Sequence, residues 1–204
     1  FYLLAGLFLA LTIYHRLILP HPDLDIKRPG LTPGKLLGDF LLTFVTFFKK
    51  KNLGLMFFFL LTYRLGESQL AKIASPFLLD ATDKGGLGLS TATVRQIYGT
   101  IGVIALLVGG IISGFLVSRD GFRKWILPMA LAINLPDLLY VWMAAATPDN
   151  PIFIAICVAI EQLGYGFGFT AYMLYLIYIA EGEHKTAHYA IGTGFMALGM
   201  MLPG

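Results

Sequence analysis

A charged stretch interrupts a long apolar run in the first half of the chain. The run covers residues 53–79, and the stretch "YRLGESQLAK" at 63–72 places Arg64 and Glu67 near its middle. These two side chains are three residues apart, so on a helix they share a face and can pair. If the run crosses a bilayer, each central charge costs about 2.5–3.5 kcal/mol unless it is sheltered. The pattern favours a polar cavity that binds a solute or carries protons, and a structural ion pair between helices is the alternative.

Further carboxylates lie within other apolar runs. Glu161 and Gln162 are neighbours in one run, and Asp137 follows a proline in another. A carboxylate that is withdrawn from water can exchange a proton near neutral pH. Glu67, Glu161 and Asp137 are therefore candidate proton-coupling residues. For Asp137, an interhelical hydrogen bond or the stabilisation of a helix kink explains the residue as well.

The same region supplies candidate solute-binding groups. We expect Arg64 to attract a carboxylate of the solute, because an arginine presents fixed donors that match this geometry. Gln69, Gln162 and Tyr165 are expected to add neutral hydrogen bonds, and Glu67 completes the predicted binding set.

Two recurring patterns are better explained by structure than by chemistry. His184 and His188 are four residues apart, a spacing that can bind metal on a helix, but no third or fourth ligand is evident. We interpret them as part of a polar turn. The GxxxG pattern at 110–114 and the glycines of 164–168 favour close helix packing. No metal or cofactor is expected beyond a coupling proton.

Composition places the chain in a membrane. Of its 204 residues, 57% are hydrophobic and only 13% are charged, against roughly 25% charged in soluble domains, and the mean hydropathy is +0.74. No basic face remains once the apolar runs are set aside, so a nucleic-acid partner is not expected. The single cysteine cannot form an internal disulfide or a cysteine metal cluster. Since no set of nucleophile, base and metal assembles, a membrane-embedded acyl- or glycosyltransferase is disfavoured.

Six apolar segments have the length, about 20 residues, that a membrane-spanning helix needs, or nearly so. They are residues 1–19, 53–79, 96–117, 125–146, 151–180 and 187–204. The longest connector, 20–52, contains a short amphipathic helix with a basic end, which should lie on the membrane surface or pack on other protein. The apolar face of this helix comprises Leu36, Leu37, Phe40, Leu41, Phe44 and Phe48. Because the chain lacks an initial Met and begins and ends within apolar runs, we expect it to be part of a longer protein.

Basic residues concentrate in alternate connectors. Lys and Arg are frequent in 20–52 and 118–124 and less so in 181–186, which assigns these connectors to the cytoplasm. The connectors 80–95 and 147–150 are assigned to the opposite side of the membrane.

The third connector resembles the loop signature of the major facilitator superfamily. It reads Gly114-Phe-Leu-Val-Ser-Arg-Asp-Gly-Phe-Arg-Lys124, and the residues that fit the signature are Gly114, Leu116, Arg119, Gly121, Arg123 and Lys124. Ser118 stands where the signature has an Asp, and Asp120 lies two positions later. The resemblance implies an all-α integral membrane bundle of two six-helix halves, in which this loop takes part in the conformational change. The chain would then supply the last helix of the N-terminal half (1–19), a cytoplasmic linker (20–52) and the C-terminal half (53–204).

Three stretches are similar to the AmpG-type muropeptide permeases and their acetyl-CoA transporter relatives. They are "YRLGESQLAKIASPFLL" (63–79), "VRQIYGTIGVIALLVGGIISGFL" (94–116) and "AIEQLGYGFGFTAYMLYLIYIAEGEHKTAHYAIGTGFMALG" (159–199). The resemblance implies a monomeric secondary transporter that imports anhydromuropeptides with protons across the bacterial inner membrane by alternating access. A proton- or sodium-coupled sugar symporter and an acetyl-CoA or drug transporter of the same superfamily remain open alternatives.

Overall fold

The chain is an all-α membrane helical bundle, as the sequence predicts. The computed structural model describes residues 1–19 and 32–202, so Lys27 and Arg28 of the predicted linker, and the end of the last predicted span, lie outside the described residues. Two compact units are formed, Phe1–Phe40 and Leu41–Gly204. The helices are α1 (Tyr2–Ile18), α2 (Pro33–Phe48), α3 (Leu53–Thr62), α4 (Leu65–Leu79), α5 (Thr91–Gln96), α6 (Val103–Asp120), α7 (Phe122–Asn134), α8 (Leu138–Ala146), α9 (Pro151–Ala180) and α10 (Lys185–Met201). The described residues contain no β-strand. The division of the chain into a first helix, a linker and a C-terminal half, with boundaries after residues 19 and 52, remains a prediction.

Three helical stretches of the described chain are long and apolar enough to cross a membrane. They are Thr91–Asp120, Phe122–Ala146 and Pro151–Ala180, whereas α1 is a shorter apolar helix. The first stretch contains a π-helical turn at Ile97–Gly102, and the second contains a 3₁₀ turn at Leu135–Asp137. Pro136 lies in that 3₁₀ turn and cannot donate a backbone hydrogen bond, which accounts for the irregularity there.

The apolar run at 53–79 is expected to form one helix, and the structure shows two. α3 ends at Thr62 and α4 begins at Leu65, with Arg64 between them at φ −109° and ψ 22°. The charged stretch therefore coincides with a break in the helix. Irregular backbone at membrane depth is tolerated where it is buried in protein or borders a cavity.

The long helix α9 packs against α6, α7 and α10, and its glycines allow close contact with two of them. A Cβ atom at Gly166 would overlap the carbonyl oxygen of Leu106 in α6, and one at Gly164 would overlap the carbonyl oxygen of Ala132 in α7. The interpretation of the glycines at 164–168 as a packing surface is confirmed.

Only the first glycine of the GxxxG pattern in α6 meets α9. A Cβ atom at Gly110 would lie 3.9 Å from the carbonyl oxygen of Gly166, whereas one at Gly114 would meet nothing within 4 Å. The closest contacts with α9 are made by Gly109, where a Cβ would overlap the carbonyl oxygen of Leu163, and Ser113 is fully buried. The packing prediction is therefore confirmed for Gly110 and wrong for Gly114, because a small-residue spacing does not specify which face of the helix meets its neighbour.

Connectors that the sequence assigns to the same side of the membrane lie together at each end of the bundle. Nζ of Lys50 donates a 2.6 Å hydrogen bond to the carbonyl oxygen of Glu181, so the end of the first connector and the start of the last lie together. Partial burial lowers the pKa of Lys50, and the negative charge of Glu181 acts in the opposite direction. At the far end of α9, Thr93 and Pro151 border one groove, which brings the starts of α5 and α9 together.

The predicted amphipathic helix is present as α2, but a different face of it is buried. Phe47 and Thr43 are buried, whereas Leu36 and Phe40 of the predicted apolar face are 55% and 59% exposed. The ring of Phe47 stacks on that of Phe195 in α10, with centroids 6.3 Å apart. The predicted apolar face is therefore exposed in the structure. The C-terminal end of α2 packs against α10 through Phe47.

His188 corrects the interpretation of the histidine pair as a polar turn. It lies within α10 and is 3% exposed. Its Nε2 atom is 3.1 Å from Oγ1 of Thr46 and 3.3 Å from the carbonyl oxygen of Thr43. His188 is thus a buried contact between α2 and α10. Its i, i+4 partner, His184, is only partly buried.

Candidate functional site

Arg64 is buried at the break between α3 and α4, where it contacts three side chains. One of its terminal nitrogens, Nη2, lies 3.2 Å from Oε2 of Glu67 and 2.8 Å from the hydroxyl of Tyr165. The guanidinium carbon also lies 5.3 Å from the ring centre of Tyr165 and 4.8 Å from that of Phe169. We refer to Arg64, Glu67, Tyr165 and Phe169 as the Arg64 cluster.

The backbone beside Arg64 is held by two neighbouring helices. The hydroxyl of Tyr63 donates a 2.9 Å hydrogen bond to the carbonyl oxygen of Gly168 in α9. Asn134, the last residue of α7, donates to the carbonyl oxygens of Tyr63 at 3.1 Å and Ala130 at 2.8 Å. These bonds fix the position from which the Arg64 side chain extends.

The cluster compensates the buried charge but leaves one donor unused. Arg64 and Glu67 are 6% and 8% exposed. A buried ion pair recovers its desolvation cost only with good geometry and further hydrogen bonds, and contact with aromatic faces adds stabilisation. Nε of Arg64 is buried and has no hydrogen-bond partner among the described residues. One N–H of the buried guanidinium is therefore left unsatisfied by the described residues.

Glu67 and Glu161 border one cavity between α4, α5 and α9. It has a volume of about 340 Å³, and Gln162, Arg95 and Tyr98 also contribute to its wall. We refer to it as the Glu161 cavity. Glu161 is 4% exposed and accepts hydrogen bonds from Nε2 of Gln162 at 3.0 and 3.3 Å. Glu67 is paired with the buried Arg64, and Arg95 at the cavity wall is exposed. Glu161 therefore has no buried cation bonded to it among the described residues, and a proton or a cationic group can neutralise it.

A second cavity lies on the other face of α4. It has a volume of about 660 Å³, and its polar lining residues are Gln69, Lys72, Asp80, Lys84, Asp137 and Tyr140. We refer to it as the Asp137 cavity. Both carboxylate oxygens of Asp137 are buried and have no hydrogen-bond partner among the described residues. A Cβ atom at Gly66 would lie 2.8 Å from Oδ2 of Asp137, so the glycine permits this close approach to α4.

The predicted site residues therefore fall into two groups separated by α4. Those on the first side are Arg64, Glu67, Glu161, Gln162 and Tyr165; those on the second are Gln69 and Asp137. Their roles in binding and coupling remain predictions. Within residues 1–19 and 32–202, no three His, Cys, Asp or Glu side chains are grouped so that they could hold a metal ion.

Sequence reasoning missed three aromatic residues of this region. Phe169 lies four residues after Tyr165, and Tyr140 lies three after Asp137, so same-face helical spacing could have identified both. Tyr98 lies in the π-helical turn, and no sequence pattern placed it beside the Glu161 cavity.

The loop after α6 is organised around Asp120. Arg119 donates two hydrogen bonds of 3.0 Å to its carboxylate, and Nε1 of Trp125 donates another of 3.0 Å. Nζ of Lys124 lies 3.2 Å from the same carboxylate. Asp120 thus gathers two cations and an indole at the start of α7.

The remaining signature positions have separate surroundings. Gly121 has φ +86°, a left-handed conformation that favours glycine. The hydroxyl of Ser118 donates to the carbonyl oxygen of Phe115 in its own helix. Gly114 and Arg123 are exposed. The carboxylate that binds the basic side chains of the loop is therefore at position 120, two residues after the position where the signature has an Asp.

The chain is similar to transporters from several bacteria. It is 26% identical over 148 residues to a transporter named AmpG 4 of Rickettsia conorii, covering 72% of this chain and 34% of the relative. It is 22% identical over 158 residues to the anhydromuropeptide permease of Escherichia coli K12, covering 78% of this chain and 31% of the relative. The chain thus spans about a third of the length of the curated relatives it matches. No protein-family profile matches it. The predicted resemblance to AmpG-type transporters is confirmed.

Proposed function

We propose that this AmpG-like chain is part of a secondary transporter that imports anhydromuropeptides together with protons across the bacterial inner membrane. The observation that carries the proposal is the buried Arg64 cluster beside the Glu161 cavity, where a guanidinium and two carboxylates lie within a membrane helical bundle. Buried ionisable groups at this depth are costly and usually mark solute or ion pathways.

Arg64 would bind a carboxylate of the solute. Its Nε has no partner among the described residues, and a guanidinium binds a carboxylate most strongly through two parallel N–H donors. The peptide portion of an anhydromuropeptide carries such carboxylates. Gln162 and Tyr165 would add neutral hydrogen bonds on the same side of α4, and Gln69 would do so from the Asp137 cavity.

Glu67, Glu161 and Asp137 would carry the coupled proton. Glu67 and Glu161 both border the Glu161 cavity, and only Glu67 is paired with the buried Arg64 among the described contacts, so a proton would neutralise the buried charge of Glu161. Asp137 has no compensating hydrogen bond among the described residues. A proton on any of these groups would lower the cost of burying it during a conformational change.

The rest of the transporter would complete the site. The chain spans about a third of the length of its relatives, and in transporters built from repeats the solute lies near the membrane midplane between the halves. On this proposal the halves rock about the solute, the Asp120 loop lies at the cytoplasmic face, and the protein acts as a monomer.

The test is uptake of labelled GlcNAc-anhydroMurNAc-peptide by the full-length protein in proteoliposomes, with and without an inward proton gradient. We expect stimulation by the gradient, loss of that stimulation in Glu161→Gln, and wild-type behaviour in the control Glu183→Gln, whose side chain is exposed. Absence of uptake by a correctly inserted protein would eliminate the muropeptide assignment, and sugars and acetyl-CoA would be examined next.

A second probe tests the role of Arg64. The wild type should take up a muropeptide with free peptide carboxylates faster than one whose carboxylates are amidated. Arg64→Ala should abolish this preference while the protein still inserts. An unchanged preference in Arg64→Ala would remove Arg64 from the binding site without affecting the assignment of Glu161.

A further inference from the structure

Tyr98 and Tyr140 join the two cavities on either side of α4. Tyr98 borders the Glu161 cavity from the π-helical turn. Tyr140 borders the Asp137 cavity from α8 and is 6% exposed. Their hydroxyl groups are hydrogen-bonded to each other. This bond therefore runs through the wall that separates the two cavities.

Titratable groups lie at both ends of the tyrosine pair. Glu67, Glu161 and Arg95 share a cavity with Tyr98. Asp137 shares a cavity with Tyr140, and Lys72, Asp80 and Lys84 also border that cavity. The bonded hydroxyls thus lie between two cavities that each contain a carboxyl group. The two rings pack among apolar residues, and Leu70 borders both cavities.

A purely structural hydrogen bond does not require this position. Two phenylalanines could fill the same volume, because the rings pack among apolar residues. Burial of the hydroxyls is tolerated because each satisfies the other. Placing them together in an apolar wall creates a chain along which hydrogen bonds can be exchanged.

We infer that the Tyr98–Tyr140 pair conducts protons between the Glu161 cavity and the Asp137 cavity. The inference rests on the proposed proton-coupled function. A proton released by a carboxylic acid on one side is accepted by the oxygen of the first hydroxyl, which passes its own proton to the second. The second hydroxyl then protonates the carboxylate beyond it. Neither carboxylate bonds its tyrosine directly among the described residues, so water in each cavity would bridge the two groups. Only O–H bonds form and break, each tyrosine ends neutral, and one proton is transferred.

The test compares two transport modes of the full-length protein in proteoliposomes, with labelled GlcNAc-anhydroMurNAc-peptide as the probe. Accumulation driven by a proton gradient requires net proton movement. Exchange of labelled for unlabelled probe at equal pH requires only that the loaded site reorient. Tyr98→Phe and Tyr140→Phe should each reduce gradient-driven accumulation by about tenfold or more, as expected when a proton-transfer group is removed, and should retain exchange.

Tyr178→Phe is the matched control, because Tyr178 lies in α9 with 65% exposure and borders neither cavity. It should leave both modes unchanged. Two variants at opposite ends of the bond keep the test valid if one of them fails to insert.

The possible outcomes separate the relay from the proposed function. Unchanged gradient-driven accumulation in both tyrosine variants, with a wild type that is stimulated by the gradient, would overturn the relay alone. An equal loss of accumulation and exchange would show that the hydroxyls are structural and would also overturn it. A wild type without gradient stimulation would overturn proton coupling itself, and the relay with it.

Discussion

Asn134 donates a 3.1 Å hydrogen bond to the carbonyl oxygen of Tyr63, at the break between α3 and α4. Asn134 ends α7, and Tyr63 precedes the buried Arg64. The bond therefore couples the irregular end of one helix to the irregular point of another. The position of the Arg64 cluster depends on this pair as well as on the charges themselves.

Replacing Asn134 by Ala should destabilise the protein and weaken transport. The substitution leaves the partly buried Tyr63 carbonyl without this donor, which costs about 1–3 kcal/mol for an unsatisfied buried group. Unfolding in detergent measures the stability, and Gln96→Ala, at an exposed position, is the control. Equal stability of the two variants would show that the bond does not hold the break.

Gly66→Ala tests the approach of Asp137 to α4. The new Cβ would lie 2.8 Å from Oδ2 of Asp137 and 2.9 Å from Oδ1 of Asn134, so both side chains must shift. We expect reduced uptake with a modest loss of stability, of about 1–3 kcal/mol, because overpacking forces side chains from their preferred positions. Gly54→Ala, where a Cβ would meet nothing within 4 Å, should neither reduce uptake nor destabilise the protein, and a similar result for Gly66→Ala would contradict the geometry.

Gly166→Ala and Gly114→Ala should behave in opposite ways, although both lie in glycine patterns. At Gly166 the Cβ would overlap the backbone of Leu106, which cannot move without separating α6 from α9, so we expect a loss of about 1–3 kcal/mol or more. At Gly114 the space is open, and alanine should stabilise the helix by about 0.5–1 kcal/mol. Thermal unfolding of the purified variants measures both. Destabilisation by Gly114→Ala would mean that the GxxxG face has a partner outside this chain.

Asp120→Asn should impair transport more than Ser118→Ala. The asparagine keeps a hydrogen-bond acceptor for Trp125 but loses the ion pairs with Arg119 and Lys124. The two cations are exposed, at 57% and 64%, and ion pairs that are open to solvent contribute little to stability, so the melting temperature should fall only slightly. Ser118 bonds only within its own helix among the contacts described, and its replacement should leave initial uptake rates unchanged. A larger loss of uptake in Ser118→Ala than in Asp120→Asn would show that position 118, where the signature has an Asp, is the more important one.

His188→Ala should loosen the C-terminal end of α2 from α10. The change removes the contacts to Thr46 and Thr43 and the ring contact with Phe47, at an expected cost of about 0.5–1.5 kcal/mol for the lost hydrogen bond, in addition to the lost packing. Limited proteolysis between residues 41 and 52 should become faster. His184→Ala, at a less buried position, should have the smaller effect; the reverse order would contradict the assigned contact.

Much of the fold can be predicted from the local chemistry of the chain. Apolar runs of membrane-spanning length follow from the transfer of side chains from water to hydrocarbon. Turn residues follow from backbone preferences, and alternating basic connectors follow from the bias of Lys and Arg to one side of the membrane. The pairing of Arg64 with Glu67 is also local, because residues three apart share a helix face. Glu161 and Asp137 could also be identified as candidate buried carboxylates, because each lies within an apolar run of the sequence.

The tertiary structure alone decided which of these residues share a cavity. Nothing in the spacing of Gln69 and Asp137 separates them from Glu161, and their separation by α4 follows from how the helices pack. The helix break at Arg64 likewise depends on Asn134, a residue 71 positions from Tyr63. Gly109 approaches α9 most closely, Gly110 makes an ordinary contact with it and Gly114 makes none, because helix rotation is set by shape complementarity along the whole interface. Local chemistry thus determined which residues must be sheltered in this protein, and long-range packing determined where each is sheltered and beside which partner.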